Sequence, residues 1–216
     1  MFVNPVKRAM RAAGLLILLL LNLGTIALLL DSGHVSAEAI KEAFAAMQEY
    51  QRLNPAIAPP RALAVIDYSQ PSYVKRMVII NLKTGRQSFY RVAHGKNSGE
   101  LYARRFSDVP ETNMSSLGLF RVTRLYYGEH GLALRLDGLD SLRNGNAAKR
   151  DIVLHQARYV SIPYILLNIA TLHGPMIGRS NGCFAVSKQN IGEVVQKLHA
   201  GGFIYAWSPE NNLPRK

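Results

Sequence analysis

Met77-Val78-Ile79-Ile80-Asn81, the polar link Leu82-Lys83-Thr84-Gly85-Arg86, and Gln87-Ser88-Phe89-Tyr90-Arg91-Val92-Ala93 form the stretch on which the fold turns. Two runs rich in β-branched and aromatic residues flank Lys83-Thr84-Gly85-Arg86, a turn sequence, which predicts a hairpin of strands over Met77–Asn81 and Gln87–Ala93. Outward from this hairpin the same pattern recurs at Leu63–Tyr68, Gly118–Leu125, Leu132–Leu136, Ile152–His155 and Phe203–Trp207. The connections are short, and no regular alternation of strand and helix appears before Tyr159. The sequence therefore predicts a mainly β chain with peripheral helices (α+β), its antiparallel sheet curled on itself as a sandwich or barrel.

Three helical segments border this pattern. From Ser36 to Leu53, Ile40, Phe44, Met47 and Tyr50 recur at helical spacing behind Ser36 as a cap, and Asn54-Pro55 ends the run. This helix is expected to cover an edge of the domain. Tyr159–Leu172 reads as an apolar helical insertion, and Lys188–His199 as an amphipathic helix capped at Ser187 and stopped by Gly201-Gly202. The expected organisation is an export or anchor segment over 1–37, a helix and Pro-rich linker over 38–60, one domain over 61–208 and a loose tail from 209 to 216.

Charge and the N-terminus bear on location. The chain holds 26 basic and 14 acidic residues, a formal net charge of +12. Lys7, Arg8, Arg11 and Asp31 give the first 37 residues +2 of this, so +10 belongs to the remainder. Such a surface favours polyanions, among them a carboxylate-rich wall polymer or anionic headgroups. Ala12 to Leu30 carries no charged side chain behind a positive flank, the layout of a secretory signal, with small residues at Val35-Ser36-Ala37 and Ala37-Glu38-Ala39 for a peptidase. The apolar run approaches the roughly 20 residues that span a bilayer, so a retained anchor through residues 12–30 is the alternative to cleavage. Either way the positive flank stays inside and the body is exported to the periplasm or cell envelope. Export, with no basic stripe interleaved with exposed aromatics, argues against a nucleic-acid partner.

The chain contains one cysteine, Cys183, in the run Gly178-Arg179-Ser180-Asn181-Gly182-Cys183. In an oxidising compartment a lone thiol has no intramolecular disulfide partner, so it is either buried and inert or kept for its reactivity. Gly182 permits a backbone turn forbidden to other residues, which favours reactivity. A thiol nucleophile needs a base within hydrogen-bond reach. Of six histidines, His155 is best placed, at the end of the strand Asp151-Ile152-Val153-Leu154-His155. His173, ten positions before the cysteine, is expected to flank the same cleft. His199 lies on the late helix and His34 in the export segment. A metal reading lacks His-x-x-x-His or paired-Cys spacing, and a serine triad lacks Gly-x-Ser-x-Gly, so neither a metal nor a cofactor is expected.

From Leu63 to Trp207 the chain resembles the L,D-transpeptidase (YkuD-type) catalytic domain family, in its murein L,D-transpeptidase branch. The resemblance rests on Val92-Ala93-His94-Gly95-Lys96-Asn97-Ser98-Gly99, Tyr127-Gly128-Glu129-His130-Gly131, Arg150-Asp151-Ile152-Val153-Leu154-His155 and Gly178-Arg179-Ser180-Asn181-Gly182-Cys183, in that order. It implies the family's β-rich fold and an attack by Cys183 thiolate on a peptidoglycan stem tetrapeptide, releasing the terminal D-alanine. An amine of a neighbouring stem, or water, then resolves the acyl-enzyme. The resemblance makes Cys183 the nucleophile, His155 the base oriented by a backbone carbonyl, Gly182 and Cys183 the amides facing the oxyanion, and Ser180 and Asn181 the shapers of the turn. It also makes a carbapenem β-lactam the expected inhibitor.

The chain departs from the family twice. Gln156 follows His155 where a glycine is usual, which alters the cleft wall or the orienting carbonyl. Ala185 stands where an arginine is usual, which leaves Arg179 to meet a substrate carboxylate. His94 and His130, each beside a glycine, are expected in turns or behind the reacting groups. L,D-carboxypeptidase or endopeptidase activity uses the same chemistry, and a non-catalytic basic wall-binding module is the alternative from another class.

Overall fold

The hairpin predicted between Met77 and Ala93 forms in the computed structural model, which describes residues 5–199 and 201–209. The tail expected after Pro209 lies outside the described residues. In chain order the elements are α1 (Pro5–Leu30), α2 (Ala37–Leu53), β1 (Ala62–Asp67), β2 (Met77–Asn81), β3 (Gln87–Tyr90), β4 (Gly118–Gly128), β5 (Gly131–Gly138), β6 (Val153–Ala157), α3 (Ile162–Ala170), β7 (Phe184–Ser187), α4 (Ile191–Leu198) and β8 (Phe203–Trp207). The eight strands form one sheet in the order β3-β2-β1-β8-β4-β5-β6-β7. Neighbours are antiparallel except at β1–β8 and β6–β7, which run parallel. The two ends of the sheet approach each other, since the Ala93 N–H just past β3 donates to the Ala185 carbonyl of β7 at 2.8 Å. This mixed, nearly closed barrel is the curled sheet the sequence predicts.

Every residue of β1 and β8 is buried. Ala62, Ala64, Ile66, Ile204 and Ala206 join a core with Phe120, Leu134, Leu154, Phe184 and the buried face of α4. Leu63, Val65, Phe203, Tyr205 and Trp207 face the other way, onto Ala39, Ala43 and Met47 of α2. Such two-sided strands read as unbroken apolar runs, as these two do. The expectation that α2 covers an edge is corrected: it lies across a face of the sheet, because β1 and β8 present apolar residues on both sides. Ser36 caps α2 as predicted, its Oγ accepting from Ala39 N at 3.2 Å, while its own N–H donates to the buried Asp67 carboxylate at 2.9 Å.

Two helices are shorter than the sequence implied. α3 begins behind Ser161, with Pro163 in its first turn, and stops before Leu172, whose φ of 62° is left-handed. α4 has Asn190 at its N-cap position without a side-chain capping bond, and the Asn190 N–H donates to Ser187 Oγ at 3.1 Å. That displaces the expected cap by three residues, because Phe184–Ser187, unassigned in the sequence reading, is a strand.

The described residues fall into two compact units, the first ending at Asp31 and the second beginning at Ser32. In the first, Val6–Leu30 is long and apolar enough to cross a membrane, with a mean hydropathy of 2.5. Its polar Asn22 and Thr25 bond back to the carbonyls of Leu18 and Leu21 at 2.8 Å, satisfying their groups within the helix.

Candidate active site

Cys183 stands one residue before β7, and the parallel register sets Leu154 opposite Phe184 and His155 opposite Ala185. The strand pair therefore brings thiol and imidazole to the same end of the sheet. Both line a cavity of about 700 Å³. Arg150, Arg158, Arg179 and Lys188 contribute to its wall against only two acids, Glu129 and Asp151, so its field favours anionic ligands.

The turn before the thiol is tightly specified. Gly182 has φ +120°, and a Cβ there would lie 2.8 Å from the Met114 carbonyl and 3.1 Å from Arg150 Nη2. Conformation and space both demand glycine. Ser180 is buried, and its Oγ donates to the Cys183 carbonyl at 2.7 Å while accepting from Gly182 N at 3.1 Å. The Gly182 amide, expected to face an oxyanion, is thus directed into the turn in this structure. Asn181 is exposed on the cavity wall.

His155 is buried. Its Nδ1 lies 2.8 Å from the Gln156 carbonyl. A carbonyl can only accept, so Nδ1 carries the proton and Nε2 the lone pair. The orienting carbonyl belongs to Gln156 itself, and the Gln156 side chain fills the space beside Gly131 on the cavity wall. Burial pushes the His155 pKa down, the Gln156 carbonyl opposes this, and His130 adds to the depression.

Cys183 is half-buried and unpaired. Its Sγ–H donates to the Asp151 carbonyl at 3.5 Å, which the left-handed Asp151 (φ 50°) aims at it. Burial pushes the thiol pKa up, against a backbone hydrogen bond at Val153 and the nearby Arg150 charge. A raised thiol and a lowered imidazole make the resting pair neutral.

Arg179 lines the cavity, but its Nη1 donates to the Gly99 carbonyl at 3.1 Å and lies 3.8 Å from Glu100 Oε1. His94 lies behind the turn: the Ser180 N–H donates to its carbonyl at 2.9 Å, and Lys96 N–H to the Ser180 carbonyl at 2.7 Å. Its fully buried ring accepts at Nδ1 from Arg76 Nη2 at 2.7 Å and donates from Nε2 to Gly99 at 3.2 Å. Burial first, and then the Arg76 charge, lower its pKa to about 3, so it is a neutral strut. His173 is exposed and bonds Thr171 Oγ1 at 3.0 Å. It lines a separate cavity of about 480 Å³ rather than the one holding the thiol. The expectation that it flanks the thiol's cleft is corrected, because α3 and the turn at Leu172 carry it away.

Three residues in or behind the cavity wall were given no role in the sequence reading. Arg150 is nearly inaccessible and donates to the carbonyls of Ser107 (2.7 Å) and Met114 (2.6 Å), with Asp108 3.6 Å away. Arg76 is fully buried and spans Gln70, Val92 and His94, its pKa lowered to about 10 by burial. Tyr159 lines the cavity, its pKa raised to about 12 by burial, then by Cys183 and Tyr164. Nothing in their local sequence distinguishes these two arginines from solvated ones. Among the described residues, no three His, Cys, Asp or Glu side chains converge as metal ligands would.

The L,D-transpeptidase catalytic domain pattern matches residues 31–207, most of the chain and the whole of this site. The chain belongs to the L,D-transpeptidase catalytic domain family. No curated protein matches it. Among solved structures it is similar to the crystal structure of the L,D-transpeptidase (residues 123–326) from Xylanimonas cellulosilytica DSM 15894, at 14% identity and a TM-score of 0.39, over 74% of this chain and 69% of that one. It is also similar to an L,D-transpeptidase from Mycobacterium smegmatis, at 13% identity and a TM-score of 0.41, over 68% of this chain and 59% of the other, less than two thirds of that protein. As a member of the L,D-transpeptidase family the chain carries its single thiol and its best-placed histidine in one cationic cavity.

Proposed function

We propose that this chain is an exported cysteine acyltransferase that remodels or cross-links peptidoglycan, with Cys183 as nucleophile and His155 as base. The observation that carries this reading is the single cavity lined by Cys183 and by a His155 whose Nδ1–H is held on the Gln156 carbonyl. That hydrogen bond leaves Nε2 as the acceptor the chemistry needs. On binding, the thiol turns from the Asp151 carbonyl toward Nε2, which takes its proton; hydrogen bonds of this kind tighten with substrate present. Sulfur attacks the carbonyl between the diamino acid's L-centre and the terminal D-alanine of a stem tetrapeptide. The C–N bond breaks, D-alanine leaves with the proton from His155, and a thioester remains.

An amine of a second stem then attacks the thioester, passing its proton to His155, and the thiol is regenerated as the new amide forms. The Cys183 amide is the oxyanion donor we assign, joined by that of Gly182 if it leaves Ser180 Oγ. Ser180 and Asn181 hold the presenting turn, Arg179 meets a substrate carboxylate, and His94 supports the turn from behind. The positive wall suits the carboxylates of stem peptides. Helix α1 serves as signal peptide or anchor and delivers the body to the envelope, and a carbapenem acylates the same sulfur.

The test is incubation of the full chain and Cys183→Ala with defined disaccharide-tetrapeptide, read by product mass. A cross-linked dimer is expected from the wild type alone, and tripeptide would assign trimming instead. No product from either protein, with wall polymer still retained, would overturn catalysis in favour of a binding module.

A further inference from the structure

The base carries a second imidazole on its face. His130 lies against the His155 ring with centroids 4.7 Å apart and planes inclined by 30°. It sits in the two-residue turn Glu129-His130 that joins β4 to β5, where Gly128 pairs with Gly131. This tip is fastened to the strand of the base at two points. Ala133 pairs with His155 in the sheet, and the Gln156 side chain packs where a Gly131 Cβ would stand. Gly131, at φ +79°, closes the turn.

The Gln156 carbonyl restrains His155 in the plane of its ring but leaves the ring's faces unguarded. His130 covers one of them. Stacked imidazoles at this separation also resist carrying a positive charge together, because each proton raises the cost of the other. We propose that His130 is a positioning residue: it clamps the His155 ring so that Nε2 faces the cavity, and it opposes protonation of that base as the medium acidifies. The proposal rests on the reading of His155 as the base. The cavity's other charged groups are Glu129 on the same turn, Arg150 and Asp151 ahead of β6, Arg158 after it, and Arg179 and Lys188 flanking β7. The Cys183 thiol and the Tyr159 phenol share the cavity as titratable groups, but none of these is a ring partner of His155, and His130 is the side chain whose charge depresses its pKa.

The test compares the full chain with His130→Phe, which keeps an aromatic face without charge, and His130→Ala, which keeps neither. Nitrogen-detected NMR follows the His155 ring through pH, its signals assigned by their loss in His155→Gln. A positive charge on the ring stacked 4.7 Å away disfavours protonation of His155. The His155 midpoint should therefore rise in both variants. The single Nδ1–H tautomer should persist in the Phe variant and become mixed in the Ala variant. The acid limb of Cys183 acylation should move to higher pH with the midpoint. Identical midpoints and tautomers in all three proteins would overturn the proposal. Failure of the wild type to be acylated would instead overturn the functional reading, and the NMR titration separates the two.

Discussion

Lowering the pH from 7 to 5 should destabilise this protein through His94, a histidine that takes no part in the proposed chemistry. Its ring is fully buried between Arg76 and the Gly99 carbonyl, and burial and the Arg76 charge hold its pKa at about 3, against 6.5 for the free side chain. Below 6.5 the unfolded chain takes up a proton at this residue while the folded chain does not until near 3. Stability is thus fully present above about pH 6.5 and is lost as the pH falls, at about 1.4 kcal/mol per unit. From pH 7 to 5 the loss from this one group accumulates to about 2 kcal/mol. Arg76, whose pKa stays near 10, remains charged throughout and leaves the slope unaltered. The assay is urea unfolding at pH 7, 6 and 5, read by the fluorescence of Trp207, the sole tryptophan and a buried residue of β8. His94→Gln keeps an acceptor for Arg76 and a donor for Gly99 without a titrating ring. It should be the less stable protein at pH 7, and its deficit should shrink by about 2 kcal/mol at pH 5. Stability curves that run parallel from pH 7 to 5 would refute the reasoning.

Three further outcomes follow from the same geometry. Gly182→Ala forces a side chain into a left-handed turn against the Met114 carbonyl, so it should cost about 1–3 kcal/mol of stability and abolish acylation, as thermal melts and adduct mass will show. Arg150→Met leaves the carbonyls of Ser107 and Met114 without their donor and removes a positive charge that favours the Cys183 thiolate; it should lower stability by about 2–4 kcal/mol and raise the thiol pKa, measured by unfolding and by iodoacetamide kinetics. Because burial raises the Cys183 pKa, alkylation should still be accelerating at pH 9 in the free protein, and a rate plateau below pH 8 would contradict the neutral resting pair.

Most of the sheet was legible because its strands are short apolar runs closed by turns. Met77–Asn81 and Phe203–Trp207 coincide with the strands observed, and the others agree to within a few residues. Phe184–Ser187 was overlooked because it follows the cysteine turn directly and is four residues long, too short to show alternation. The placement of α2 was misjudged because its apolar stripe says that it packs and not on what. Of the candidate site, Cys183, Gly182, Ser180 and Asn181 could be selected because a glycine turn is a local feature; His155 was selected as a strand end, whereas β6 runs on through it to Ala157, because Gln156 and Ala157 continue the pairing with β7. The arginines could not be selected, because Arg76 and Arg150 acquire their roles from carbonyls far away in sequence, such as Val92 and Met114. His173 illustrates the converse: ten residues of separation from Cys183 implied nearness, and one left-handed residue at Leu172 sets the histidine in another cavity.

The central claim, an activated thiol at Cys183 served by His155, is tested most directly by the intact mass of the full chain after exposure to a carbapenem, beside Cys183→Ala and His155→Gln. The account predicts one stoichiometric adduct on the wild type, none on Cys183→Ala, and a rate at least about 100-fold slower on His155→Gln, the lower bound for losing a general base. An unmodified wild type whose thiol also resists iodoacetamide would show that Cys183 is inert and would contradict the account.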